Sequence, residues 1–228
     1  MISIRALAIA AVGIILSGHS LSAQDLSRYR DYALESSLSS VIAASGARAS
    51  ETKTLHERPA RIQELEWRAP YGRAGGELTD PVRTVVFAFY DDQLYRVVVR
   101  YDRARTEGLT NADIVDSLAV TYGVPLGASA RTRGSPQADA PLDTIVLARW
   151  EDATSSVTLV RDVYAPEFQL LLTSKPLSAR ARGAIKEAIR LDAIEAPRRE
   201  LERLKKEAAD ASAARDEART TNKAVFRP

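Results

Sequence analysis

Alternating apolar residues in the middle of the chain predict antiparallel β-strands. The strongest signal is a pair of runs rich in valine and aromatic residues, 83–90 (RTVVFAFY) and 93–101 (QLYRVVVRY), joined by Asp91 and Asp92. Aspartate tolerates the backbone angles of tight turns, so the two runs predict a β-hairpin. Similar runs predict further strands, which lie at 61–67, 143–150, 156–163 and 167–173.

A helical periodicity precedes each group of strands. Residues 25–44 place their apolar side chains on one helical face, and Gly46 provides a stop signal. A second helix is predicted over 112–122, with Thr110 in its N-cap and Gly123 as its stop. The side chains on these two apolar faces are Leu34, Leu38, Val41, Ile42, Ile114, Val115, Leu118 and Ala119.

The order of these elements repeats along the chain. Each half consists of a helix followed by three strands, and Trp67 and Trp150 lie near the ends of the two first strands. Repeated order with varying loop length is the pattern that tandem duplication produces, while chance similarity of two α+β segments is the alternative. The predicted fold class is therefore α+β, with two helix-plus-antiparallel-sheet units followed by a charged helical tail.

The faces of the strand 93–101 suggest a binding surface. One face, formed by Tyr95, Val97, Val99 and Tyr101, is expected to meet the core. The other face is half charged and is expected to meet solvent, the edge of the second sheet or a partner. Its arginines, with those of the polar connector 101–111, are the candidate partner-binding residues of the body: Arg96, Arg100, Arg103 and Arg105.

The end of the chain is rich in charges and strong helix formers. It predicts helices over 178–195 and 198–219, with Pro197 either kinking one helix or starting the second. Leu201 and Leu204 begin a thin apolar seam that alanines continue. One interpretation is a solvated tail; the other is a helix that docks on a partner or self-associates through Leu201 and Leu204.

Residues 1–23 have the pattern of a secretory signal peptide. A single basic residue precedes the apolar run 6–16, and small polar residues follow as far as Ala23. Cleavage is expected after Ala23, with Ser22 as the second choice. An uncleaved membrane anchor is the alternative, although the apolar run is short for a span. After cleavage the protein is expected in the periplasm or outside the cell, and not across a membrane.

These patterns divide the chain into four segments. They are the signal peptide, 1–23; a first α+β unit that includes the second helix, 24–127; a second set of antiparallel strands, 128–177; and a helical, coiled-coil-like tail, 178–228. No cysteine is present, so neither disulfides nor a lipoprotein anchor contribute, and the fold depends on its core alone.

Composition narrows the function classes. The 228 residues include 32 lysines and arginines against 30 aspartates and glutamates, and this balance argues against a nucleic-acid binder. The lack of cysteine also excludes thiolate catalysis and cysteine-ligated metals. The sequence contains no recognised catalytic, cofactor or metal motif, so no catalytic, cofactor-binding or metal-ligating residue is predicted.

Helix-then-hairpin units in an exported protein resemble two kinds of small bacterial protein, the BamE (SmpA/OmlA)-like domains and the tandem β-lactamase-inhibitor-protein-like fold. The resemblance covers roughly residues 25–175 and rests on element order and on the phrases at 90–94 (YDDQL) and 121–123 (TYG). It implies a fold of helices packed on antiparallel sheet. It implies no functional residue, since the anchoring cysteine of the first kind and the disulfides of the second are absent.

The leading hypothesis is a non-enzymatic module that binds an envelope or secreted protein, with the C-terminal helix as a second contact. Two alternatives stay open. His56 could act as a general base in a periplasmic hydrolase-like enzyme that also uses carboxylates, although no nucleophile accompanies it. Tyr71, Tyr90 and Tyr122 could form the stacking platform of a ligand-binding or cell-wall-binding module.

Overall fold

The computed structural model describes residues 25–68, 80–126, 144–164 and 167–227. The predicted signal peptide lies outside these ranges, as do most of the two polar loops between the predicted strands. The described elements, in chain order, are β1 (Arg28–Tyr29), β2 (Tyr32–Ala33), α1 (Leu38–Ser45), a 3-10 turn (Ala49–Glu51), β3 (Thr52–His56), β4 (Ile62–Arg68), β5 (Val82–Tyr90), β6 (Gln93–Tyr101), α2 (Asn111–Tyr122), β7 (Thr144–Glu151), β8 (Ser155–Asp162), β9 (Phe168–Ser174) and α3 (Lys175–Val225).

Seven of the strands form one antiparallel sheet in the order β3-β4-β5-β6-β9-β8-β7, and β1 and β2 form a separate small hairpin. The α+β class is therefore confirmed. Two three-stranded meanders, β4-β5-β6 and β7-β8-β9, meet through the pairing of β6 with β9, so their strand order is reversed about that junction. This is the arrangement that duplication of a helix-plus-three-strand unit would produce.

One face of the sheet, here called the inner face, carries the main core. Helices α1 and α2 and the β1-β2 hairpin pack on it, so apolar side chains from both meanders share one cluster. At its centre are fully buried residues of four strands: Leu65, Phe87, Phe89, Val97, Val99, Leu170 and Leu172. The indole Nε1 of Trp150 donates a hydrogen bond to the carbonyl of Gly123 at 2.6 Å, which ties β7 to the end of α2.

The opposite face, here called the outer face, carries the start of α3. Helix α3 follows β9 without a linker, and its Leu177, Ala181 and Ala184 pack on a smaller apolar cluster of β4, β5 and β6. Alanine allows a helix to approach a sheet closely, because no long side chain stands between the two backbones. The sheet therefore sets the direction in which α3 leaves the body.

The face assignment predicted for β6 is partly wrong because of a β-bulge. The register of β6 with β5 shifts between the pairs Ala88–Arg96 and Phe89–Leu94, which leaves Tyr95 as an extra residue. An extra residue reverses the alternation of side chains beyond it. Leu94 consequently joins the inner core, and Tyr95 packs on the outer face beside Leu177.

The first predicted helix is wrong over its first half. Residues 25–37 form the β1-β2 hairpin and turns, and only Leu38–Ser45 are helical. Arg30 and Glu35 have positive φ angles of 52° and 70°, which a right-handed helix does not allow. The helix begins at its N-cap, Ser37, whose side chain accepts a hydrogen bond from the Ser40 amide.

The local turn signals are confirmed. Asp91 and Asp92 have φ angles of 45° and 68°, the left-handed conformation that a two-residue hairpin turn requires. Thr110 caps α2, and its side chain and that of Asp113 form a reciprocal capping box. These residues therefore act as structural signals for the turn and the helix start.

The expected interruption at Pro197 is absent. Helix α3 runs continuously from Lys175 to Val225 with the proline inside it, so the two predicted helices are one. An interior proline removes one backbone hydrogen bond and disfavours the helix by about 3 kcal/mol. Across this point the guanidinium of Arg199 donates to a carboxylate oxygen of Asp192 at 3.0 Å and so bridges the two sides of the proline.

Because the two meanders share one core, shortening a buried side chain at their junction is expected to lower the stability of the protein strongly. Leu172 of β9 is fully buried opposite Val97 of β6, so Leu172→Ala is expected to lower the free energy of unfolding by about 2–5 kcal/mol. Leu126→Ala is the matched control, because that leucine is 55% exposed. Urea unfolding followed by circular dichroism measures both. Equal effects of the two substitutions would contradict the assignment of the core.

Candidate functional site

A row of exposed apolar side chains lies on the second half of α3. Every described residue from 196 to 227 is exposed, and this stretch is here called the distal segment. At about 1.5 Å of rise per residue, the helical part of this segment is roughly 45 Å long. It carries Leu201 (59% exposed), Leu204 (48%), Val225 and Phe226. Because these apolar side chains are exposed, they are free to contact another molecule.

A polar groove marks the point at which α3 leaves the body. The groove encloses about 210 Å³ between the end of β3 and one side of α3, and it is lined by Leu55, His56, Glu57, Arg58, Ala188, Leu191, Asp192 and Arg199. Arg58 forms a two-pronged ion pair with Glu195, with nitrogen–oxygen distances of 2.8 and 3.3 Å. The groove therefore works as an anchor that fixes the base of the distal segment.

The ion pair changes the titration of Glu195. Hydrogen bonds from Arg58 lower the pKa of the Glu195 carboxyl from its ordinary value of 4.5, with the charges of Arg58 and Arg199 acting in the same direction. A lowered carboxyl pKa stabilises the paired state fully above pH 4.5, and this contribution is lost as the pH falls through the folded-state pKa. Arg58 is exposed and Glu195 is partly exposed, so the pair orients the helix more than it stabilises the fold.

Ion pairs within the distal segment support its helical conformation. The guanidinium of Arg203 binds Glu200 and Glu207, each at 2.6 Å, one turn before and one turn after it. Such pairs stabilise isolated helices by about 0.2–0.5 kcal/mol each. Together with the many alanines, they favour a helix that is formed before it meets a partner.

The structure separates the candidate residues into three places. Arg96 and Arg100 lie on the outer face of β6, where Arg96 is half-buried beside Glu64 and Tyr95. Arg103 and Arg105 are exposed in the turn that follows β6. Leu201 and Leu204 lie on the distal segment. The four arginines and the two leucines therefore lie on different elements, far apart in the sequence.

The turn that carries Arg103 and Arg105 is locally ordered. The carboxylate of Asp102 accepts hydrogen bonds from the backbone amides of Ala104 and Arg105, and Thr106 is buried beneath the turn. These bonds make a compact connector between β6 and α2. The two arginines are thus presented on a hydrogen-bonded turn, and neither of them lines the groove between β3 and α3.

The alternative sites are only partly supported by geometry. His56 lines the anchoring groove beside Glu57 and Asp192, and the charged groups of that groove are largely engaged in ion pairs. Within the described ranges no group of three or more histidine, aspartate or glutamate side chains could hold a metal ion. Tyr122 is buried in the inner core and Tyr90 packs on the outer face, so these two do not form a common platform. Tyr71 lies outside the described residues.

Three tyrosines near the rim of the inner core have a structural role. Burial raises the pKa of Tyr29, Tyr101 and Tyr122 well above the ordinary value of 10, so all three phenols stay neutral at physiological pH. The hydroxyl of Tyr122 donates to the carbonyl of Arg28, which links α2 to the β1-β2 hairpin. Their protonation state therefore suits packing and not acid–base chemistry.

The sequence interpretation did not identify the residues that anchor α3. Arg58 and Glu195 are 137 residues apart, and no local pattern connects them. Ile194 and Val225 lie outside the predicted seam, because proline is a helix breaker and the predicted second helix ends at residue 219. Extending the apolar spacing across the proline would have found both.

No protein-family model, curated protein or solved structure matches the chain. The resemblance to BamE-like or inhibitor-like proteins therefore stays a prediction. Among the helices in the described parts of the chain, none combines the length and the apolar character needed to cross a membrane.

Loss of the ion pair between Arg58 and Glu195 is expected to change the pKa of the Glu195 carboxyl. In Arg58→Met the pKa of Glu195 is expected to rise towards 4.5, because the hydrogen bonds that lower it are lost. Carbon-detected NMR of the side-chain carboxyl across pH measures it. Arg190→Met is the control, since Arg190 pairs with Glu187 on the same helix. If the pKa of Glu195 were unchanged in Arg58→Met, the ion pair between Arg58 and Glu195 would not form in solution.

Proposed function

We propose that this protein is an exported, non-enzymatic binding module that contacts an envelope or secreted protein through the distal segment of α3. Export is supported by the signal-peptide pattern of residues 1–23. The observation that carries the binding role is a long, exposed, preformed helix rigidly attached to a folded body. Preformed elements lose less conformational freedom on binding, so they suit recognition.

The shape of the molecule gives the two parts separate tasks. The sheet and its two cores supply a stable body, and the direct junction of β9 with α3 fixes the direction of the helix. The distal segment then holds Leu201 and Leu204 away from the body, where a partner can cover them. Helix recognition of this kind uses apolar residues on one face, with charges around them.

Site-specific photo-crosslinking tests this proposal. Leu204 is replaced by p-benzoylphenylalanine, and the variant is irradiated in the intact cells that produce the protein. We expect protein adducts at position 204, because that side chain faces the partner. Lys206 carries the same probe as the control, since it lies on another side of the helix. Adducts of equal yield at both positions, or at neither, would contradict the proposal.

A periplasmic hydrolase-like enzyme is the second candidate, and the position of His56 in the anchoring groove favours it. A general base must reach the proton that it removes, and a groove of this size admits a small substrate. If this function is correct, hydrolytic activity found by screening the purified protein is lost in His56→Ala. The control is His56→Gln, which keeps a polar side chain in the groove. Activity that survives both substitutions removes His56 from any mechanism.

A further inference from the structure

The continuity of α3 through Pro197 makes the apolar seam longer than the two leucines alone. Counting in heptads from Ile194, the seam positions a and d fall on one side of the helix for more than four repeats, about 45 Å. Most of these positions are apolar, and two near the end are polar. They are Ile194, Pro197, Leu201, Leu204, Ala208, Ala211, Arg215, Ala218, Asn222 and Val225.

The charges beside the seam are sorted by sign. In this register Glu200 and Glu207 occupy g positions, whereas Arg198, Lys205 and Arg219 occupy e positions. In a parallel pair of helices, each g residue lies near the e residue five positions later on the partner, so Glu200 meets Lys205 of a second copy. In an antiparallel pair, g faces g and e faces e, which would place like charges together.

The anchor leaves the seam open. Glu195, which binds Arg58, is a b position of the same register, and Asp192 and Arg199 are f positions. Positions b and f lie on the side of the helix away from a and d. The body therefore contacts α3 on the side opposite the seam, and these contacts leave the seam uncovered.

We propose that the distal segment of α3 pairs with the same segment of a second copy of this chain as a parallel, two-stranded coiled coil. The proposal rests on the proposed function, because both use the distal segment, and it names the partner. Asn222 at an a position favours two strands in one register. The small alanines of the centre let the helices approach closely but bury little surface, so the pair is weak and reversible.

Sedimentation velocity over a wide concentration range tests the pairing. The purified protein is expected to move from monomer to dimer as its concentration rises. Leu201→Ala with Leu204→Ala should weaken the dimer at least tenfold, because it removes the two leucines of the seam while keeping strong helix formers. Ala209→Ser with Ala213→Ser is the control on the opposite side. A protein that stays monomeric, or a dimer that survives the leucine substitutions, overturns the proposal.

The charge pattern gives a second test. Glu200→Lys and Lys205→Glu should each weaken the homodimer, since each places like charges opposite one another in a parallel pair. A one-to-one mixture of the two variants should restore association, because both contacts are then between opposite charges. Circular dichroism confirms that each variant is still helical. If each variant on its own dimerises as well as the original chain, the parallel arrangement is refuted.

A single introduced cysteine reports the orientation directly, because the chain has none of its own. Ala218→Cys at a d position should form a disulfide-linked dimer on mild oxidation, whereas the outward control Ala213→Cys should not. In an antiparallel pair centred on the seam, the two copies of residue 218 would lie about 25 Å apart. If the protein is monomeric but photo-crosslinking at Leu204 still captures another protein, this inference fails and the proposed function stands.

Discussion

The pairing of β6 with β9 is the contact on which the rest of the structure depends. It joins two three-stranded meanders edge to edge, in register from Arg96–Thr173 to Arg100–Gln169. Each meander alone has only three strands, and the joined sheet buries more apolar surface than either could. Once joined, their inner faces form one continuous surface that α1, α2 and the β1-β2 hairpin cover together. The same pairing makes β9 an interior strand, hydrogen-bonded to β6 and β8, so the helix that follows it starts from a strand that is held on both sides.

The direction of α3 depends on that interior strand and on the contacts at the start of the helix. Lys175 follows Ser174 directly, and its backbone amide donates to the carbonyl of Thr154 in the neighbouring β-turn. The first turns then pack by small residues on the outer face, and Arg58 holds Glu195 farther along. Three contacts in succession leave the helix little freedom at its base. A rigid base matters for recognition, because an element that is already oriented loses less entropy when it binds.

The sequence predicted most strands and the start of α2 well, since these depend on neighbouring residues. The valine-rich hairpin at Asp91-Asp92 and the cap at Thr110 needed no long-range information. Strand β3 was missed because it is an edge strand with exposed side chains and no apolar alternation. The exchange of Leu94 and Tyr95 between faces could not be predicted, because a bulge is set by the partner strand and not by local propensity.

The candidate site, like the fold, could be predicted from the sequence only in part. Leu201 and Leu204 were visible in the sequence as an apolar seam, but its extent was not, because proline is normally a reliable helix stop. A helix tolerates an interior proline when the residues around it compensate for the lost hydrogen bond. Here the flanking sequence consists of strong helix formers, and Arg199 reaches back to Asp192 across the proline. The helix therefore continues past Pro197 within a sequence of strong helix formers and local ion pairs, and the apolar side chains of the seam stay exposed beyond it.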